Sequence, residues 1–392
     1  MKNLKIVTAI ASIAICISCQ GNTNKKQPMS LNTKDVLVVK QPVEIKKEPT
    51  VKVALLLDTS NSMDGLIDQA KAQLWEIVNE LSYAKCNSQQ PNLEIALYEY
   101  GNDGLPSAEG YIRQVLGFTS DLDDISEQLF ALKTNGGSEH CGQVIQTALN
   151  QLDWKNTSND LNLMFIAGNE PFTQGPVKYT NAALNAKEND VIVNTIFCGS
   201  YSNGVSGKWL EGATLAGGEF MTIDHNKEVI HIATPYDQQI IILNKQLNNT
   251  YIGYGNHGRS KKEKQMMQDA NAMKMEEKVM VNRAVSKSSK MYSNKSWDLV
   301  DAEDDSDFSY ESLDKSSLPD SLKNKSTEEI KAYVATKRIE RDRITKEIQE
   351  LNKKRLEYIA IEKRNTNQNE TLDSAMIKAI KKQASEKNYS WE

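Results

Sequence analysis

The sequence predicts an α/β protein: a doubly wound, mostly parallel sheet followed by an α-helical C-terminal extension. Two patterns predict it. From Thr50 to Ile223 short apolar runs alternate with amphipathic stretches of helical length, the signature of strands joined by helical crossovers. After Ile223 the apolar runs stop, and a long stretch with heptad-like spacing takes their place. At 392 residues the chain has room for two or three domains, one of them with a full α/β core.

Val51 to Leu57 is a near-continuous apolar run ending in a polar loop, as expected of a central strand covered on both faces. Leu66, Ala70, Leu74, Ile77, Val78 and Leu81 then share one helical face. Asn92 to Gly101 and Tyr111 to Gly117 read as strands, and Leu122 to Leu132 as a helix capped by Ser120-Asp121. Gly142 to Leu152 is a helix after a Gly-Gly loop, and Leu161 to Ile166 a buried strand. Val177 to Lys187, Val191 to Phe197, Trp209 to Ala216 and Glu219 to Ile223 continue as helix, strand, helix, strand. In such sheets a ligand site lies beyond the carboxyl ends of the strands, at the switch point.

Beyond the sheet, Asp237 to Leu247 reads as a helix, with two further helical pieces near Lys262 to Ala272 and Lys274 to Lys287. From Ser326 one long helix runs to about Arg364, with Ser326 and Glu329 spaced as a capping box. Ile330, Val334, Ile344, Ile348, Leu351 and Tyr358 form its seam, but Lys337, Arg341 and Arg355 interrupt it. That makes a poor dimeric coiled coil, and packing on another helix or on the sheet domain is expected instead. The expected boundaries are a leader at 1–18, a flexible tether at 19–49, the sheet domain at 50–225, a helical and low-order linker at 226–325, and a long-helix region at 326–392.

The leader reading rests on Lys2 and Lys5, the apolar run Ile6 to Ile17, and then Ser18-Cys19. The run is short of the roughly 20 residues of a membrane span and fits a secretory h-region. Cys16-Ile-Ser-Cys19 resembles a bacterial lipobox, with Cys16 where a leucine is usual, which implies lipidation at Cys19 and anchorage of the mature chain to a membrane. Gln20 follows the cysteine, not the aspartate associated with inner-membrane retention, so the resemblance favours an exported protein on the outer membrane or the periplasmic face. Cys86, Cys141 and Cys198 then lie in an oxidising compartment. Cys141 begins a helix and Cys198 ends a strand at the same end of the sheet, so Cys141–Cys198 is the expected disulfide, with two separate buried thiols as the alternative.

Charge excludes one class of partner. Forty-seven basic against 52 acidic residues leave a net of -5, without the basic excess that nucleic-acid binding needs. No Gly-x-Gly-x-x-Gly follows a strand, so the phosphate cradle of a dinucleotide fold is missing. His140, His225, His231 and His257 are scattered without zinc spacing. A phosphoryl-transferring aspartate loop would want a second acid where Ser60 stands. A non-enzymatic protein is expected.

Asp58-Thr-Ser60-Asn-Ser62 directly follows the first buried strand. One tight loop there directs a carboxylate and two hydroxyls, all hard oxygen donors suited to Mg²⁺, Mn²⁺ or Ca²⁺. In isolation the same residues also read as a strand-to-helix turn whose hydroxyls cap the next helix. Two further loops come after it in order: Thr134 to Gly142 around Gly136-Gly137, and Phe165 to Pro171 after the fourth strand. Together these resemble the three metal-site loops of von Willebrand factor A domains over about Thr50 to Asp224. The resemblance implies a metal-ion-dependent adhesion site built from Asp58, Ser60, Ser62 and Ser138, Ser138 standing where the family has threonine. It departs at the third loop, where Ala167-Gly168-Asn169 replaces Thr-Asp-Gly and the aspartate is absent. Glu139, Asn169 or Glu170 could supply the missing donor, or be respectively a helix-start acid, a turn residue and a solvent-facing acid.

The expected function is that of a membrane-anchored module that engages an unidentified protein through a divalent cation and an acidic side chain of the partner. The alternative is an assembly scaffold with a degenerate metal site that interacts through its C-terminal helix.

Overall fold

The sheet runs β4-β3-β1-β5-β6-β7 and is parallel throughout except for β4, which pairs antiparallel with β3 at one edge. Its strands are β1 (Thr50–Asp58), β3 (Asn92–Tyr100), β4 (Ile112–Thr119), β5 (Leu161–Gly168), β6 (Ile192–Cys198) and β7 (Phe220–Ile223). A second, two-stranded sheet joins β2 (Ala84–Cys86) to β8 (Tyr389–Trp391), pinning the end of the chain back beside the first helix. The computed structural model describes residues 48–154, 157–223, 232–366 and 372–391. The expected leader 1–18, the expected lipidation site Cys19, nearly all of the expected tether, and His225 and His231 lie outside the described residues.

The crossovers place α1 (Asp64–Ser82) and α2 (Leu122–Ala131) on one face of the sheet. The other face carries α3 (Cys141–Gln151), α4 (Tyr179–Glu188), α5 (Tyr201–Ser206) and α6 (Trp209–Leu215). Strand alternation divides the core accordingly. Val51, Val53, Leu55 and Leu57 of β1 belong to one apolar cluster, and Ala54 and Leu56 to the other. The chain passes from β1 outward to β3 and then returns to β5 on β1's opposite side, so β1 stands at the switch point. Asp121 caps α2, accepting from the backbone N–H groups of Asp123 and Asp124, as its position before the helix predicts.

The C-terminal half contains α7 (Asp237–Asn248), α8 (Gly258–Met275), α9 (Glu277–Lys287), the one-turn α10 (Leu299–Ala302) and α11 (Asp320–Lys323), the 40-residue α12 (Thr327–Thr366) and α13 (Leu372–Ser385). Lys47–Glu392 clusters as one compact unit. Within the stretch expected to be a helical and low-order linker, the described residues include α7 to α11, and α9 is packed against the sheet domain. Val279, Met280, Val281, Ala284 and Val285 of α9 join the cluster built on β1 and α1. The reason is a continuous apolar face on α9 that meets α1, while Asn282 and Ser286 hydrogen bond to Glu76 and Asn79 of α1.

The long helix starts at the expected capping box: the Ser326 N–H donates to Glu329 Oε2 at 2.7 Å and the Glu329 N–H to Ser326 Oγ at 3.2 Å. Its seam is shared between two cores. Ile330 and Val334 pack with Ile252, Leu299 and Leu322, whereas Ile344 and Ile348 enter the sheet-side core. Among the described residues no helix is long and apolar enough to cross a membrane.

Candidate metal centre

Three loops converge at the carboxyl ends of β1, β3 and β5. Asp58 is the last residue of β1 and lies in register with Tyr100 of β3, while Gly168 ends β5. Asp58 is completely buried. Its Oδ1 accepts the Ser60 N–H at 2.7 Å, the tight Asx turn that folds the loop back before α1. Its Oδ2 is buried and has no hydrogen-bond partner. The local turn therefore uses one carboxylate oxygen and leaves the other free.

Around that oxygen stand further oxygen donors. Ser60 Oγ and Ser62 Oγ are 3.4 Å apart, and Asn169 Nδ2 donates to Ser62 Oγ at 2.9 Å while the Asn169 Oδ1 is left unpartnered. The Glu139 carboxyl lies within hydrogen-bonding reach of both Asp58 and Ser60. Burial and the facing Glu139 carboxyl push Asp58 well above the usual carboxylate range, and burial raises Glu139 as well. Two desolvated carboxyls with no lysine, arginine or histidine against them among the described residues are an unbalanced arrangement for a purely structural turn.

Space is kept for this cluster by glycines at two strand ends. A Cβ on Gly101, at φ +79°, would sit 2.7 Å from Asp58 Oδ1 and 2.9 Å from Glu139 Cγ. One on Gly168 would sit 2.6 Å from the Tyr100 hydroxyl and 3.2 Å from Asp58 Oδ2. The Tyr100 hydroxyl donates to the Ala167 carbonyl at 2.9 Å, and the Trp209 indole N–H to the Glu170 carbonyl at 2.8 Å, so the third loop is fixed from behind.

The structure thus brings together Asp58, Ser60, Ser62, Glu139 and Asn169. Ser138 is exposed, as Ser62 is, while its neighbour Glu139 turns inward and is 2% exposed. The Glu170 side chain is exposed and accepts from Gln174 Nε2 at 3.1 Å, and only its backbone N–H reaches Glu139. The His140 ring packs edge-on against Tyr111 with centroids 6.0 Å apart. His257 precedes α8. Sequence reading missed Gly101, Tyr100, Gln174 and Trp209. Of these only Gly101, a glycine directly after an apolar strand, carried a local signal.

The expected Cys141–Cys198 disulfide is not formed; both are free, buried thiols, as is Cys86. Cys141 packs in the core on the α3 side of the sheet and Cys198 in the core on the α1 side, so the sheet itself separates them. Being at the same end of the strands does not put two residues on the same face.

Among the described residues no group of three or more His, Cys, Asp or Glu side chains gathers as a zinc-type site would require. The donors here are two carboxyls, hydroxyls and an amide oxygen. That set fits a small hard divalent cation, which would also satisfy the orphaned Asp58 Oδ2.

A comparison with curated proteins gave no match. Among solved structures the chain is similar to the SpRpn10 VWA domain, at 13% identity and TM-score 0.34, over 46% of this chain and 100% of that one. It is also similar to the conserved hypothetical protein BatB from Bacteroides thetaiotaomicron, at 16% identity and TM-score 0.34, over 44% of this chain and 90% of that one. An aerotolerance-related membrane protein from Bacteroides fragilis NCTC 9343, carrying multiple mutations to serine, is similar at 15% identity and TM-score 0.32, over 44% and 92%. At these identities and scores the likenesses speak to neither partner nor process. The family model for the von Willebrand factor type A domain matches residues 52–228. The doubly wound sheet and the family match agree on one assignment: residues 52–228 are a von Willebrand factor type A domain.

Proposed function

We propose that this chain is a binding module, held at the cell envelope through Cys19, that engages an acidic side chain of a partner protein through a divalent cation at the top of the sheet. One observation carries the reading. Asp58 is wholly buried with one oxygen spent on its own turn and the other unpartnered, beside two serine hydroxyls. Asp58, Ser60 and Ser62 would hold the ion, and Asn169 orients Ser62 through its amide N–H. A bound Mg²⁺ or Mn²⁺ supplies a positive charge at the mouth of a buried acidic site, where it attracts a carboxylate.

Binding is favoured over catalysis because the neighbouring nucleophile candidates are inert. Burial pushes the Cys141 thiol and the Tyr100 phenol well up, so neither is an anion at neutral pH. The envelope address rests on the lipobox-like Cys16 to Cys19 segment of the sequence.

Calorimetric titration of the full chain with Mg²⁺, Mn²⁺ and Ca²⁺ tests the reading. Saturable binding is expected for the wild type and none for Asp58→Ala, with partner capture lost in the variant and in chelator. A wild-type titration without binding heat for any of the three ions sinks it. The scaffold reading draws on a different observation: Ile339, Leu356 and Ile361 of α12 are 73%, 48% and 57% exposed. It predicts that serine substitutions at those three positions abolish capture while Asp58→Ala leaves it intact.

A further inference from the structure

We propose that Glu139 is the second anionic ligand of the cation site, so that this domain draws both of its carboxylates from its first and second loops and none from the third. The proposal rests on the cation reading above and says which residue of this chain completes it.

Position is the first argument. In the second loop Ser138 is exposed, and the residue turned toward Asp58 and Ser60 is Glu139. Close backbone packing sets that choice. A Cβ on Gly137 would lie 2.4 Å from the Gly101 carbonyl oxygen, so the loop is pressed against the end of β3 and the next inward-facing position falls at 139. The inward position of this loop is held by a carboxylate, not a hydroxyl.

Solvation is the second. A carboxyl with 2% exposure loses its water shell, a cost that buried acids normally offset with a cation or with several donors. Outside Asp58 and Ser60 of the cluster itself, the Glu139 carboxyl accepts from the Glu170 N–H, at 3.3 Å to Oε2, and among the described residues no basic side chain pairs with it. Asp58 beside it has an unpartnered oxygen. Both deficits point at the same small volume, and a divalent cation there would satisfy both.

Anchoring is the third. Glu139 is held by a ring of contacts that includes residues of the third loop. Its N–H donates to Gln174 Oε1 at 3.3 Å, Gln174 Nε2 donates to Glu170 Oε2 at 3.1 Å, and the Glu170 N–H closes the ring on Glu139 Oε2. The third loop thus contributes by fixing Glu139, while its own Asn169 is neutral. An aspartate in place of Asn169 would crowd a third carboxylate into the cluster, and the neutral residue there agrees with an acid already supplied by position 139.

The test is Mn²⁺ binding by the full chain, read by calorimetry and by electron paramagnetic resonance of the bound ion, for Asp58→Ala, Ser138→Ala, Glu139→Gln and the double variant Glu139→Gln/Asn169→Asp. Glu139→Gln should weaken binding at least about tenfold, because ligand charge count is a main determinant of affinity for hard cations. Ser138→Ala should stay near the wild-type value, and the double variant should regain affinity by restoring a carboxylate from the third loop. Thermal unfolding of the metal-free proteins shows whether each variant folds, and Glu139→Asp, which shortens the reach while keeping the charge, stands in should Glu139→Gln fail to. Loss of binding in Asp58→Ala with wild-type affinity in Glu139→Gln overturns the proposal and leaves the cation reading standing. Absence of Mn²⁺ binding by the wild type overturns both.

Discussion

Asp269 of α8 takes four side-chain partners inside the molecule: Asn244 and Asn248 at 2.7 Å, Arg283 at 2.6 Å and Lys287 at 3.0 Å. Against the opposing pull of burial, Lys287 and Arg283 hold its carboxyl well below the usual range. Arg283, itself fully buried, also pairs with Asp123 of α2 at 2.8 Å and so ties the helical half to the sheet domain. A depressed carboxyl favours the folded state above its unfolded pKa, about 3.9, and this contribution is lost as pH falls through the folded value. Asp269→Asn should therefore cost roughly 3–5 kcal/mol at neutral pH by leaving two buried cations short of an anion. It should also flatten the loss of stability below about pH 4. Urea unfolding of both proteins across that range measures both effects. The same scale separates what could be read along the chain at the candidate metal centre. Asp58, Ser60 and Ser62 are legible because one short turn holds them all. Glu139 turns inward beside the close approach of Gly137 to Gly101, a contact between residues 36 positions apart that no local pattern encodes.

The long helix α12 shows the corresponding division among elements. Its start was legible in full: Ser326 and Glu329 satisfy each other's backbone N–H groups as their spacing dictates. Ser326→Ala should cost about 1 kcal/mol, and Ser326→Gly only a few tenths, a difference that thermal unfolding by circular dichroism resolves. The charges that interrupt its apolar seam have a meaning only in the folded molecule. Arg341 pairs with Asp298 and Asp301, both at 2.6 Å, lies 4.1 Å from the Tyr251 ring centroid and donates to the Thr250 carbonyl. Arg355 pairs with Asp237 of α7 at 2.9 Å, with both side chains buried. What looks like a flawed coiled-coil seam is a helix whose buried positions include two specific ionic contacts to elements that lie elsewhere in the chain.

For the whole molecule, the sheet domain and the C-terminal helices share a core. Met376 and Ile380 of α13 enter the cluster that holds Ile196 and Ile223, and Gln383 exchanges side-chain hydrogen bonds of 3.1 and 2.7 Å with the buried Asn194 of β6. Removing residues 326–392 would strip Gln383 from Asn194 and Arg355 from Asp237, the latter loss alone costing about 3–5 kcal/mol. The truncated chain should melt at a lower temperature and bind a hydrophobic dye that the full chain does not, measured by differential scanning fluorimetry and dye fluorescence. Truncation therefore confounds a test of partner capture, and the surface substitutions on α12 are the cleaner experiment.

The alternation of strands and helices, the candidate loop Asp58 to Ser62, the capped start of α12 and the lack of a basic excess were all legible along the chain, because each depends on composition or on neighbours within a few turns of chain. Three features came from long-range packing alone. It put Cys141 and Cys198 on opposite faces of the sheet, drew α9 into the sheet-side core, and turned Glu139 toward Asp58. Each of these is a choice of face, and a face is chosen by what burial and close backbone contact bring together from distant parts of the chain.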